Sequence, residues 1–424
     1  LKKGCAVALT DAGKGVGLHN LSDDTVNKLD GTRATRTDAG SLSFFAARLT
    51  DAARAAYNAA FPNRIAIKHA HSQQNPEKDW GNDTLAAARY ALYVLNARYG
   101  TTQDPVPFGK DNTLVLAGSA SNGGAAVLRA AELDTDGLID GVVASEPVTE
   151  MPTRQGYTIA VGNATMPNPG RTLAEYTTYG NIYQPCAALA PDAALTETSI
   201  FNYIGLTAMT ARAEARCTSL AAKGLVIGST TADRAANALS KLRLYGWTRD
   251  HDRMHNAHYA LGNGPILSAM YTMAYGRFGV DANLCRTSFA AANATGDVVP
   301  ATGAALAQSF ATANGTANGT PATVVYNDSV GGAKAWQFAV SPSTRVADLG
   351  LDNALCQHAL VTGFDPVTGF NLSESSVPTR AQSDAVRAGI NEVLHTGRLR
   401  GKPTIIVAGR SDALVPVNHN ARAY

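Results

Sequence analysis

The chain reads as an α/β protein: a mostly parallel sheet interrupted by a large, mainly helical insertion. Three observations predict it. Strand-like apolar runs alternate with helix-like runs over residues 1–148, which is the pattern of a sheet covered by crossover helices. The alternation stops over residues 149–380. It returns over residues 381–424, where a helix-like run (380–395) leads through Gly401-Lys-Pro403 into the apolar run Thr404-Ile-Ile-Val-Ala408. These ranges are the expected domains: a first core part, a lid or cap insertion, and a second core part.

Taken in order, residues 5–9 (Cys-Ala-Val-Ala-Leu) are the first expected strand, followed by the glycine-rich Asp11-Ala-Gly-Lys-Gly-Val-Gly17. Residues 65–67 are the second. The next helix has Asn82 and Asp83 available as caps, a stripe of Leu85, Ala88, Leu92 and Leu95, and Gly100 to end it. A strand at 113–117, a tight turn, a helix at 125–132 and a strand at 141–145 follow. Within the insertion, residues 170–285 are rich in Ala, Tyr and Arg, with helical stretches at 208–223 and 231–241. Residues 287–323 are nearly low-complexity Ala, Thr, Asn and Gly, which predicts loops or small-residue helices.

Composition narrows the functional classes. Of 424 residues, 45% are hydrophobic and 17% charged, and the net charge is +2, so neither nucleic acid nor an acidic membrane surface is an expected partner. No run reaches the roughly 18 apolar residues of a membrane span. Leu1-Lys-Lys-Gly-Cys5 runs straight into an apolar segment without initiator methionine or signal peptide, so further residues are expected ahead of Leu1. Cysteines 5, 186, 217, 285 and 356 contain no C-x-x-C pair, and the odd count leaves one thiol free or paired outside the chain. Few charges and widely spaced cysteines predict a secreted or periplasmic bacterial protein.

The most informative segment is Thr113-Leu-Val-Leu-Ala-Gly-Ser-Ala-Ser121-Asn-Gly-Gly124. Strand formers run into a turn of small residues, and a helix-forming run follows at once. That is the sequence form of a nucleophile elbow, in which a serine sits on a sharp strand-to-helix turn that large neighbours would obstruct. Ser119 stands where the first glycine of G-x-S-x-G is usual. The helix N-terminus behind Ser121 offers backbone N–H groups to a developing oxyanion, with Asn122 N–H the expected donor. Asp412 follows the 404–408 run and a Gly409 turn, the place of a triad carboxylate in the chain order Ser, Asp, His. Its role is to accept from the imidazole and fix its tautomer. Together the two residues predict a serine hydrolase. The histidine should lie downstream of Asp412. His419 is only seven residues on, too close for a loop after a further strand and helix, so the histidine is expected beyond Tyr424.

Other clusters carry less. His251, His255 and His258 could share a helix face, but the Glu of H-E-x-x-H is absent and no metal is expected. Gly13-Lys-Gly-Val-Gly17 lacks Walker spacing, so no nucleotide cofactor is expected. His69 and His71 follow a strand, where they could line the site, but read rather as polar loop residues; Asp134 and Asp136 read as a turn with too few oxygen ligands for calcium.

Several segments together resemble the bacterial D-(−)-3-hydroxybutyrate oligomer hydrolases: Lys68-His-Ala-His-Ser-Gln-Gln-Asn-Pro76, Asp79-Trp-Gly81, Ser119-Ala-Ser-Asn-Gly-Gly124, Asp140-Gly-Val-Val-Ala-Ser-Glu-Pro147 and the stretch from Gly401 to His419. The resemblance implies an α/β-hydrolase-type fold with a large lid and cleavage of ester bonds in short 3-hydroxybutyrate oligomers, commonly by an exported enzyme. It implies Ser121 as nucleophile and Asp412 as triad acid. It also implies a segment before Leu1 that supplies part of the oxyanion hole, and one after Tyr424 that holds the histidine. The partner is then a small-molecule ester. Rival readings are a feruloyl-esterase or tannase-like hydrolase of aromatic esters, and a non-catalytic binding protein on a hydrolase fold.

Overall fold

A computed structural model of the chain describes residues 4–11, 13, 17–152, 156–192, 209–312 and 322–424. It divides into two compact units. One comprises Leu1–Gly13, Pro76–Leu173 and Glu392–Tyr424; the other comprises Lys14–Asn75 and Ala174–Asn391. Residues 14–75 therefore group with 174–391, whereas the sequence pattern had grouped them with the first strands.

The first unit is built on a parallel sheet. Helix α1 (Trp80–Tyr99) precedes strand β1 (Leu116–Ala120), which turns into helix α2 (Asn122–Leu133); β2 (Gly141–Ser145) follows, and β3 (Thr404–Val407) arrives from the far end of the chain. The spatial order is β3-β2-β1. Val142 faces Ala117 on one side and Thr404 on the other, and Val143 faces Gly118 and Ile405. β1 begins three residues later than its apolar run predicts. The Asp140 carboxylate takes the Val115 N–H (2.7 Å) while the Asp140 N–H goes to the Val115 carbonyl, so a side chain replaces the first rung of the ladder.

Period-two alternation decides which side of the sheet is covered. Val142 and Ala144 point into a core with Leu85 of α1 and Val127, Leu128 and Ala131 of α2. Full burial of one such Leu or Val is worth roughly 1.5–3 kcal/mol. On the opposite face Leu116, Val143, Ile405 and Val407 remain 63, 46, 61 and 55% exposed. Residues 5–9, expected as a strand, are irregular and exposed, with Leu9 89% accessible. An apolar run becomes a strand through its partner, and among the described residues this one pairs with none.

The second unit contains two antiparallel sheets and most of the helices. The strands Arg33–Thr35, Thr25–Asn27, Leu18–Asn20 and Ile65–Ile67 lie side by side in that order. Val298–Val299, Thr287–Ala292 and Thr323–Tyr326 form the other sheet. Within 287–323 the helix Gly303–Thr312 is of the small-residue kind expected, while Thr287–Ala292 and Val298–Val299 are strands that the composition did not predict. Pairing of Phe289 with Val324 in the interior overrides the weak strand preference of alanine. Helix Asn263–Tyr275 is apolar on every side and buried along its length, as a central helix must be. Helices Thr210–Ala222 and Thr231–Leu244 occupy the two predicted stretches. Cys186 bonds to Cys217 and Cys285 to Cys356, leaving Cys5 free and exposed. The buried Arg216 guanidinium donates to the carbonyls of Asn181, Ile182, Asp348 and Leu349; Asn181 lies four residues before Pro185, which has no N–H to offer it. No helix among the described residues is long and apolar enough to cross a membrane.

Candidate active site

β1 delivers the chain to the carboxyl edge of the parallel sheet, where Ser121 holds φ +56° and ψ −125° between the strand and α2. A non-glycine residue at positive φ costs on the order of 1–3 kcal/mol and persists only where its surroundings impose it. Here they do. The Ser121 N–H donates to the Ser145 carbonyl at 2.8 Å, and the Ser121 carbonyl accepts from Ala125 and Val148 N–H, each at 3.2 Å. Packing closes the same turn. A β-carbon at Gly123 would stand 2.0 Å from Ser119 Oγ, and one at Gly124 would stand 3.0 Å from Pro147 Cα and 3.1 Å from the Ser145 carbonyl oxygen. The strain is therefore fixed by the neighbouring strand end, and the Ser121 side chain is left exposed. Asn122 is the first residue of α2, which sets its backbone at the positive end of the helix dipole.

The expected acid lies on the same edge. β3 ends at Val407, and the chain turns at Gly409 toward Asp412, whose N–H bonds to the Gly409 carbonyl. Asp412 Oδ1 accepts from both Leu414 N–H (2.8 Å) and Val415 N–H (2.9 Å), so a tight Asx turn holds the carboxylate half-buried. Oδ2 is then the oxygen that an imidazole would address.

One residue at this edge escaped the sequence reading. Glu146 directly follows β2, also at positive φ (+45°). Its N–H extends the ladder to the Val407 carbonyl (2.7 Å), and its carboxylate accepts the Gly409 N–H with Oε1 at 2.9 Å and Oε2 at 2.8 Å. The ends of β1, β2 and β3 are thus tied in a row, from Ser121 through Ser145 and Glu146 to Gly409. The local signal was an acid closing an apolar strand ahead of proline; its partner 263 residues away left no trace in the pattern.

Histidines fare differently from their sequence readings. His395, packed behind the elbow, accepts the Glu150 N–H at Nδ1 (3.1 Å) and lies 3.0 Å from the Ala125 carbonyl through Nε2. Both ring nitrogens are spent on backbone, and burial pulls its pKa down. His419 is fully buried in the loop after Asp412. His69 and His71 are not polar loop residues: both are buried on the short helix Lys68–His71, where His71 Nδ1 accepts the Ile67 N–H. His251 Nδ1 accepts from Thr248 N–H, and His258 Nδ1 meets Gln184 Oε1; the side chain of His255 lies outside the described residues. Among the described residues no group of three His, Cys, Asp or Glu is arranged to hold a metal ion. Asp134 takes the Leu138 and Ile139 N–H groups and is a turn residue, while part of the 11–17 glycine loop lies outside the described residues. A cavity of about 390 Å³ lined by Phe61, Arg64, Asn327 and Lys334 belongs to the second unit and contains none of the expected site residues.

The 3HB-oligomer hydrolase family model matches residues 1–424. The chain belongs to this family. Similar proteins include the D-(−)-3-hydroxybutyrate oligomer hydrolases of Polaromonas sp. (44% identical), Albidiferax ferrireducens (43%) and Ralstonia nicotianae (41%), each covering all of this chain. The matched regions are 58%, 58% and 57% of those relatives, so the chain spans rather more than half the length of its curated 3HB-oligomer hydrolase relatives. No solved structure matches.

Proposed function

We propose that this chain carries the catalytic serine and triad acid of a serine esterase that hydrolyses short 3-hydroxybutyrate oligomers through an acyl-enzyme. Ser121 Oγ attacks the ester carbonyl carbon as a histidine takes its proton. The tetrahedral oxyanion is received by Asn122 N–H at the start of α2, and the leaving alkoxide collects the proton from the imidazolium. Water then attacks the acyl-serine, the histidine again acting as base, and 3-hydroxybutyrate is released. Asp412 orients the histidine. That histidine comes from polypeptide beyond residues 1–424, a reading supported by the greater length of the relatives and by the backbone engagement of both His395 nitrogens. The parallel sheet with its elbow is read as part of an α/β-hydrolase-type core, and the 149–380 insertion as the lid that sets substrate size. Two disulfides favour an exported, oxidising location.

The observation that carries this reading is the enforced positive-φ geometry of Ser121, which presents a hydroxyl at a helix N-terminus. The test is turnover of 3-hydroxybutyrate dimer by the full-length protein and its Ser121→Ala variant. The expected loss is on the order of 10⁶ in kcat; a variant within tenfold of the parent would end the mechanism. A hydroxycinnamate ester assayed alongside separates the substrate classes, and preference for it would favour the aromatic-ester reading.

A further inference from the structure

The mechanism leaves one carboxylate at the sheet edge without a role. Glu146 follows the strand that lies between those leading to Ser121 and Asp412, and its hydrogen bonds go to the end of β3 and the turn after it. Its backbone bonds to Val407, the last residue of β3, and both carboxylate oxygens converge on one N–H, that of Gly409. Asp412 in turn donates its N–H to the Gly409 carbonyl, so the two faces of a single peptide segment link Glu146 to the acid turn. The half-buried side chain is held there by a backbone at φ +45°, a conformation L-residues adopt when neighbours impose it. Glu146 turns both carboxylate oxygens to the Gly409 N–H, whereas in Asp412 it is Oδ1 that holds the turn and Oδ2 lies outside it.

We propose that Glu146 is a positioning residue for the triad acid: its carboxylate pins Gly409 and thereby fixes the direction in which the following turn aims Asp412. The proposal rests on Asp412 being the acid of a Ser121-dependent esterase. It adds the prediction that acid placement is set from β2, the strand whose end also holds the Ser121 N–H. One strand end would then govern the relative placement of nucleophile and acid.

The experiment uses the full-length protein with Glu146→Ala, Glu146→Gln and Asp412→Asn, read by steady-state kinetics on 3-hydroxybutyrate dimer and by amide hydrogen exchange across residues 409–415. Glu146→Ala is expected to lower kcat by about 10- to 100-fold, the effect of losing a charge-assisted hydrogen bond, with KM within about threefold. Exchange at Gly409 and Asp412 should rise with it. Glu146→Gln keeps an oxygen acceptor for Gly409 and should hold kcat within about fivefold, while Asp412→Asn loses far more. If Glu146→Ala does not fold, Glu146→Asp replaces it, since the shorter side chain draws the carboxylate off Gly409. Unchanged kcat and exchange in Glu146→Ala (or in Glu146→Asp) overturns the proposal. So does a Glu146→Gln loss equal to that of Asp412→Asn, which would make Glu146 the relay acid itself. Activity surviving in Ser121→Ala would sink the esterase reading alone, because the exchange readout at Gly409 stands without catalysis.

Discussion

At position 123 a β-carbon would meet Ser119 Oγ at 2.0 Å and Ser119 Cβ at 2.9 Å, so alanine there must displace the turn that carries Ser121. A hydroxyl can rotate away but its Cβ cannot, and Gly123→Ala is expected to cost about 1–3 kcal/mol in urea unfolding. Adding Ser119→Gly removes the obstructing atoms and should recover most of that loss, a non-additivity expected of contacting residues. Additive effects of the two substitutions would mean that the contact is not what constrains the turn. This is also where the sequence was most readable: a run of small residues between strand and helix formers implies that the backbone folds closely on itself. Glu146 was unreadable for the complementary reason. Its partner is a backbone N–H, which has no residue type, and it arrives from 263 positions away.

The strands and bridges lend themselves to sharper tests than the helices. Val142 and Val143 are neighbours in β2, one buried and one half-exposed on the uncovered face. In the full-length protein Val142→Thr should lose roughly 1–3 kcal/mol by burying a hydroxyl, and Val143→Thr should stay within about 0.5 kcal/mol. Equal losses at both positions in urea titrations would contradict the described face assignment. The Cys285–Cys356 bridge closes a loop across 71 positions, so replacing both cysteines by serine should cost roughly 4 kcal/mol on loop-entropy grounds. Strand 141–145 and the 404–407 strand were legible because β-branched runs between turn formers leave few alternatives. Residues 5–9 show the limit. The same kind of apolar run stays irregular, because strand formation depends on a partner that a local pattern does not name.

At the scale of the molecule, buried neutral histidines set a pH dependence. His71 and His258 have pKa values lowered by burial to about 3 and about 4, from an ordinary 6.5. Above pH 6.5 both are neutral folded or unfolded, and they contribute nothing to the pH dependence. Below it the unfolded chain takes up protons that the folded chain refuses, so stability falls as pH drops from 6.5 toward 4. The slope is at most ~1.4 kcal/mol per pH unit for each histidine. Urea unfolding free energies should be flat between about pH 7 and 8 and decline below 6.5, and His258→Gln should flatten the decline. A stability that rises on acidification would contradict the described burial. The elements of the three-stranded parallel sheet were legible from alternating runs. The grouping of residues 14–75 with 174–391 was not, since it depends on long-range contacts such as the Arg64–Ala290 bridge and the packing of helix Lys68–His71 against helix Asn263–Tyr275, which no local pattern announces.

If Ser121 is an activated nucleophile, it will react covalently with an electrophile built for serine hydrolases. Full-length protein treated with a fluorophosphonate probe should gain the mass of one adduct in an intact-mass spectrum, peptide mapping should place it on Ser121, and Ser121→Ala should take up none. Labelling at a different serine, or no adduct on the folded full-length protein, would contradict the account and leave the elbow as a turn without chemistry.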